Sequence, residues 1–200
     1  MAVNEAVAGG HAAETATGYD NRKLFMWAFL ASECMFFGSL IASFLIYRGR
    51  SLEGPYPKDV FNIPYTSVSS FVLLMSSLTM VLALAAIQRG DQRALRVWLL
   101  CTALLGATFL GGQAFEFTSF VEKGLTLDKN LFGTTFFVLT GFHGAHVTVG
   151  VLMLLSLFVL SLRGKLPESS SSTVELIGLY WHFVDIVWII IFALIYLVKV

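Results

Sequence analysis

From Leu24 to Val198 the chain repeats one pattern: a long unbroken run of apolar residues, then a short polar break. A helix of about 20 apolar residues crosses the roughly 30 Å of bilayer hydrocarbon, and five runs meet that length, at about 24–47, 66–87, 95–120, 131–162 and 173–198. The breaks hold residues that stop helices or prefer water. They are Arg48-Gly-Arg50 with the Pro-rich stretch Gly54-Pro-Tyr-Pro57 and Pro64, then Gln88-Arg-Gly-Asp91, Glu122-Lys-Gly124, and Arg163-Gly-Lys-Leu-Pro167 followed by Ser169 to Ser172. Continuous apolar runs exclude the alternating ten-residue strands of a membrane β-barrel, and no internal repeat is visible. The predicted fold is all-α, an integral membrane, up-and-down bundle of five transmembrane helices. It forms one domain (24–200) behind a polar N-terminal tail (1–23). Several runs exceed 20 residues, so tilted helices or helices longer than the bilayer are expected.

Composition sharpens this picture. Charged residues make up 13% of the chain, against about 25% in soluble domains, which excludes an ordinary water-soluble fold. Formal net charge is zero, so nothing points to nucleic acid as a partner. Cys34 and Cys101 both fall inside apolar runs, where a thiol acts as a small hydrophobe rather than part of a disulfide framework. Met1 to Asp20 is rich in Ala, Gly and Thr and has no apolar core of a signal peptide. The first span is therefore expected to serve as its own uncleaved insertion signal. Lys and Arg number seven on the side of the N-terminus and six on the other, too even for the positive-inside rule to set the orientation. Five spans put the two termini on opposite sides.

Against this background the polar residues inside the spans carry the chemistry, since a charged group at the bilayer centre costs roughly 2.5–3.5 kcal/mol on insertion scales. Glu33 sits about ten residues into the first span, and is expected to be neutral or paired. Gln113 and Glu116, three apart and so on one helix face, read as a polar pair at the end of the third span. His143 and His146 repeat that spacing in Thr140-Gly-Phe-His-Gly-Ala-His-Val147, where Gly141 and Gly144 allow close helix approach. His182 and Asp185 repeat it again in Tyr180-Trp-His-Phe-Val-Asp-Ile-Val-Trp188. Two histidines from one helix with His and Asp from another would suit zinc or a di-metal centre, and histidines on two helices would suit axial haem ligation. The plainer alternative is one buried hydrogen-bond network linking Glu33, the histidines and Asp185, fixing helix register and contacting a lipid headgroup. No nucleophile with its base, phosphate-binding glycine loop or CxxCH motif is present, so the residues alone show no reaction centre. A small proton-coupled transporter using Glu33 and Asp185 is the reading from another functional class, though it lacks the inverted repeat of such proteins.

Five segments in order give a more definite expectation: Ser32-Glu-Cys-Met-Phe-Phe37, Gln113-Ala-Phe-Glu116, Phe132-Gly-Thr-Thr-Phe-Phe-Val138, Thr140 to Val147 and Tyr180 to Trp188. With them the chain resembles subunit III of haem-copper terminal oxidases, in its short five-helix bacterial form, from about Leu24 to the C-terminus. The resemblance implies a non-catalytic subunit of a proton-pumping oxygen reductase in the bacterial plasma membrane, with its N-terminus cytoplasmic. It implies no catalytic, cofactor-binding or metal-binding residue in this chain, with haem and copper held by partner subunits. It also implies packing on subunit I, a complex with subunit II and a small subunit IV, support of proton uptake and sustained turnover, and bound phospholipid. Glu33 matches the family's buried carboxylate and His146 the second histidine of its motif, both associated with a lipid-binding cleft, and Arg163 stands where a headgroup contact is expected. The chain departs from the longer seven-helix form in lacking two further helices at the front, which form the other wall of that cleft. Both cytochrome c and quinol oxidases have five-helix subunits III. Phe142 in Gly-Phe-His-Gly and Val184 in His-Phe-Val-Asp favour the cytochrome c branch over the quinol branch, which often has Thr and Leu there.

Overall fold

The computed structural model describes residues 21–48, 63–126 and 131–197. Five long helices account for nearly all of them, and no strand occurs among the described residues: α1 (Asn21–Tyr47), α2 (Ile63–Gln88), α3 (Gln92–Glu122), α4 (Leu131–Leu162) and α5 (Ser171–Phe192). A 3₁₀ turn (Glu168–Ser170) leads into α5, and a π-helical turn (Ala193–Leu197) continues it. Hydrocarbon offers backbone groups no hydrogen bonds, so a spanning segment must satisfy them internally, which a helix does. All five helices are long and apolar enough to cross a membrane. The expected tail lies mostly outside the described residues, as does the stretch from Gly54 to Pro57.

The helices outrun the apolar stretches at several ends because flanking polar residues join their terminal turns. Asn21, Arg22 and Lys23 open α1, and Gln92 and Arg93 open α3. Pro64, expected in a helix-free loop, instead lies in the first turn of α2. A proline is tolerated there because the first-turn N–H groups have no partner inside the helix. The α2–α3 connection is tight. Gly90 takes φ +73°, a conformation glycine adopts without steric cost, and Asp91 then caps α3 by accepting from the backbone N–H of Arg93 at 3.1 Å and Ala94 at 3.0 Å.

Packing does not follow chain order. α2 packs most extensively on α3, α3 on α4, and α2 also on α5, while α1 lies chiefly on α4 and α5 rather than on its chain neighbour α2. The resulting ring is α1–α4–α3–α2–α5, with a further contact between α4 and α5. Its outer surface is apolar, as a lipid-facing surface should be: Phe25, Met35, Val68 and Leu152 are exposed.

The centre of the ring is filled by Trp181 of α5, which is fully buried. Its indole lies between two glycines on different helices. A Cβ on Gly106 of α3 would come within 2.5 Å of Trp181 Cη2, and one on Gly150 of α4 within 2.7 Å of Cε3. On the third side Trp181 Nε1 donates to Ser76 Oγ of α2 at 2.9 Å. One side chain thus fixes α5 against three helices, and Trp188, seven residues on, repeats the link to α2 by donating to Ser70 Oγ at 2.9 Å. Lipid tails are as apolar as Leu, so close packing and hydrogen bonds drive association here more than burial of oily surface.

Gly106→Ala and Gly150→Ala are each expected to destabilise the bundle by about 1–3 kcal/mol through overpacking, measured by titrating the protein from mild detergent into SDS. Gly111→Ala is the control: nothing lies within 4 Å of the added methyl, and unfolding should be unchanged or slightly harder.

Candidate functional site

Two clamps set the depth scale. At one end of the bundle Lys23 of α1 pairs with Glu175 of α5 at 2.8 Å. At the other, Arg48 donates to the carbonyls of Leu194 and Ile195, at 2.5 and 3.1 Å, in the π-helical turn after α5. The guanidinium also lies over the Phe44 ring, 5.8 Å from its centroid; partial burial lowers its pKa from the ordinary value. A cation at carbonyls left open by a helix C-terminus is favourably placed. Along α5 the clamps are separated by about 28 Å at about 1.5 Å per residue, close to the thickness of the hydrocarbon. Glu33 and Asp185 each lie ten residues in from the first clamp, near mid-depth.

The polar residues inside the spans fall into separate groups. On the α1–α4 seam, Glu33 Oε2 lies 3.2 Å from His146 Nε2, with both side chains less than a fifth exposed. His146 Nδ1 donates to the carbonyl of Phe142 at 2.8 Å, which leaves Nε2 for the carboxyl. Tyr180 of α5 donates to the His146 carbonyl at 3.1 Å. On the α2–α5 seam, Ser77 Oγ meets both Asp185 Oδ2 and, at 2.9 Å, His182 Nδ1. At the far end of the bundle, Thr66 of α2 donates to Glu116 Oε1 at 2.5 Å, and Tyr196 shares Thr66 as a partner.

The expected single network linking Glu33, the histidines and Asp185 is therefore not what forms. His143 joins neither seam. It is fully buried, and neither ring nitrogen has a hydrogen-bond partner. Its ring stacks on Trp188 at 4.9 Å and meets the edges of Phe109 at 6.0 Å and Phe37 at 6.5 Å. It acts as an aromatic plate between α1, α3 and α5, while His146, one turn on, makes the polar contact. Gln113 and Glu116 likewise depart from expectation. They are not exposed at a helix end but buried within α3, and they serve different neighbours. Gln113 Nε2 donates to the Thr140 carbonyl of α4 at 2.9 Å, and its Oε1 faces Gly144, where a Cβ would approach to 3.0 Å. Gln113 also floors a shallow groove of about 180 Å³ between α3 and α4, lined by Leu110, Phe117, Gly141 and Thr148. Arg163 is exposed beyond the end of α4, some 25 Å from His146 along the helix at about 1.5 Å per residue. Among the described residues no cluster of three or more His, Cys, Asp and Glu is arranged to hold a metal ion.

Sequence reasoning missed the hydroxyl partners. Thr66, Ser70, Ser76 and Ser77 all lie on α2, at successive spacings of four, six and one residues, and all reach α3 or α5. A hydroxyl repeating at helical spacing within an apolar run was the available signal. Isolated serines in a span satisfy themselves on their own backbone, as Ser39 and Ser43 of α1 do, so the spacing alone does not separate the two uses.

The family described as cytochrome c oxidase subunit III matches residues 1–200. The chain belongs to that family. It is 38% identical over 172 residues to quinol oxidase subunit 3 of Bacillus subtilis (strain 168), covering 86% of this chain and 84% of that protein. It is 37% identical over 174 residues to cytochrome c oxidase subunit 3 of Corynebacterium diphtheriae, covering 86% and 85%. Cytochrome c oxidase subunit 3 of Bacillus sp. (strain PS3) is 35% identical over 177 residues, covering 88% and 86%. Membership makes this a multi-pass membrane protein and subunit III of a haem-copper oxidase, an oxygen-reducing complex that implies other oxidase subunits beside it. The family's subunit III carries no cofactor itself.

The two clamps are expected to respond differently to mutation. Arg48→Ala removes charge-assisted bonds to two carbonyls and should cost about 1.5–3 kcal/mol, with faster amide hydrogen exchange confined to the last turns of α5. Lys23→Ala at the half-exposed pair should cost less than about 1 kcal/mol and leave that exchange unchanged.

Proposed function

We propose that the chain is the non-catalytic subunit III of a proton-pumping cytochrome c oxidase in a bacterial plasma membrane, with its N-terminus cytoplasmic. In this reading it packs on subunit I, with subunit II and a small subunit IV completing the complex. It sustains turnover and supports proton uptake while oxygen chemistry proceeds on haem and copper in the neighbours. The observation that carries the reading is the family match over residues 1–200. Phe142 and Val184 favour cytochrome c as electron donor. The 38% identity to a Bacillus subtilis protein named as a quinol oxidase subunit supports quinol as the second reading.

Glu33 and His146 are proposed to contact lipid or a neighbouring chain, supported by their partial exposure on the α1–α4 seam. Arg163, exposed at the end of α4, suits a phospholipid headgroup at the membrane edge. His143, Asp185, Gln113 and Glu116 serve helix packing in this reading, and His182 contacts Ser77 through Nδ1 alone.

Affinity purification of the tagged chain in mild detergent should recover a haem-containing oxygen reductase with a copper-binding subunit II, oxidising cytochrome c faster than quinol. A homo-oligomer without a haem partner would overturn the reading, and preferential quinol oxidation would transfer it to the second one. Within the complex, Glu33→Gln is expected to leave assembly and the initial rate of oxygen reduction largely intact while changing lipid retention or inactivation during turnover. Loss of activity from the first turnover would contradict a supporting role.

A further inference from the structure

His182 raises a question that the packing of the bundle leaves open. It lies on the outer stripe of α5 with Leu179 and Ile186, and its ring is only partly buried. Nδ1 faces Ser77 Oγ at 2.9 Å, and among the described residues Nε2 has no hydrogen-bond partner. Seven residues separate His182 from Glu175 at the membrane edge, which places it about 10 Å inside at about 1.5 Å per residue. A polar N–H or bare nitrogen left against hydrocarbon at that depth is costly.

Hydrogen-bond accounting decides what Nε2 presents. Ser77 has one hydroxyl proton and two neighbours, Asp185 Oδ2 and His182 Nδ1. A net charge is disfavoured at membrane depth, so Asp185, Ser77 and His182 together carry none. Two arrangements then remain. In one, protonated Asp185 donates to Ser77, which donates to Nδ1 of a neutral imidazole. In the other, ionised Asp185 accepts from Ser77, which accepts from Nδ1–H of an imidazolium. The two interconvert by moving one proton along the chain through the serine oxygen, with none gained or lost. A third arrangement would put the acid proton on Asp185 Oδ1, but that atom is buried with no partner to receive it. In both remaining arrangements Nε2 carries a hydrogen.

We infer that the outer α2–α5 face docks a transmembrane helix of another oxidase subunit, one that presents a hydrogen-bond acceptor to His182 Nε2–H. This rests on the reading of the chain as an oxidase subunit. Lipid does not meet the need, because acyl chains have no acceptor and headgroups lie nearer the membrane edge. The apolar side chains on either side of the imidazole complete a surface a helix can cover. Val81, one turn from Ser77 on α2, is 50% exposed, and Ile186, one turn from His182 on α5, is 56% exposed. The polar group in the middle would set the register of the docked helix.

The test uses the intact complex purified in mild detergent. A photo-crosslinking amino acid at Val81 or Ile186 should yield an adduct with a different oxidase subunit, and one at Leu152 on the outer face of α4 should not. Adducts only with phospholipid or with a second copy of this chain, or subunit adducts from Leu152 alone, overturn the inference. Substitutions at His182 supply a second readout, since a glutamine amide reaches the position of Nε2 and an asparagine amide that of Nδ1. His182→Ala should lower retention of this chain in the complex several-fold, with His182→Gln restoring it and His182→Asn not. Rescue by Asn but not Gln would make the residue an internal partner of Ser77 and overturn the inference. If no oxidase accompanies even the unmodified chain, the functional reading fails first, so the two failures are distinguishable.

Discussion

The bundle depends on an indole seated between two glycines. Trp181 touches α2, α3 and α4 at once, and the missing side chains of Gly106 and Gly150 let the helices close on it. Without a hydrophobic drive between helices in lipid, such a fitted contact must hold what burial holds in a soluble protein. It also aligns the rest. With α5 fixed against α2, Ser70 falls opposite Trp188 and Ser77 opposite Asp185.

Around that plug, the carboxyls of Glu33, Asp185 and Glu116 are each met locally. Glu33 has His146, Asp185 has Ser77 with His182, and Glu116 has Thr66. These are short-range arrangements between neighbouring helices, and none leaves a carboxylate facing lipid alone. The aromatic plate of His143, Trp188 and Phe109 lies within the same core. Polar chemistry here is divided into small units, each pinning a pair of helices, rather than pooled in one site.

Much of this could be read from the chain. Five apolar runs and their breaks led to five helices because hydrocarbon permits little else. Glu33 at mid-depth signalled a partner, and His146 was among the residues named. What stayed hidden depended on which helices touch. Nothing in the order of the spans says that α1 lies on α4 and α5, so the assignment of Glu33 to His146 and of Asp185 to Ser77 could not be made. His143 and His146 are the same residue type on the same helix, yet one faces three aromatic rings and the other a carboxylate. The difference is a rotation of about 60° around α4, visible only once its neighbours are in place. Gln113 and Glu116 read as polar residues near a helix end, but packing of α3 against its neighbours buries both.

The skipped neighbour has a consequence for how the protein is made. Among the five helices α1 is made before the others, while its chief supports, α4 and α5, are made after the other three. Glu33 therefore waits for His146 while more than a hundred further residues are translated, roughly 5–20 s at about 5–20 residues per second. During that interval the carboxyl must be held neutral or shielded by insertion machinery. The nascent α1 thus carries an unpaired carboxyl until the fourth span arrives, and assembly of the ring closes from its last-made side.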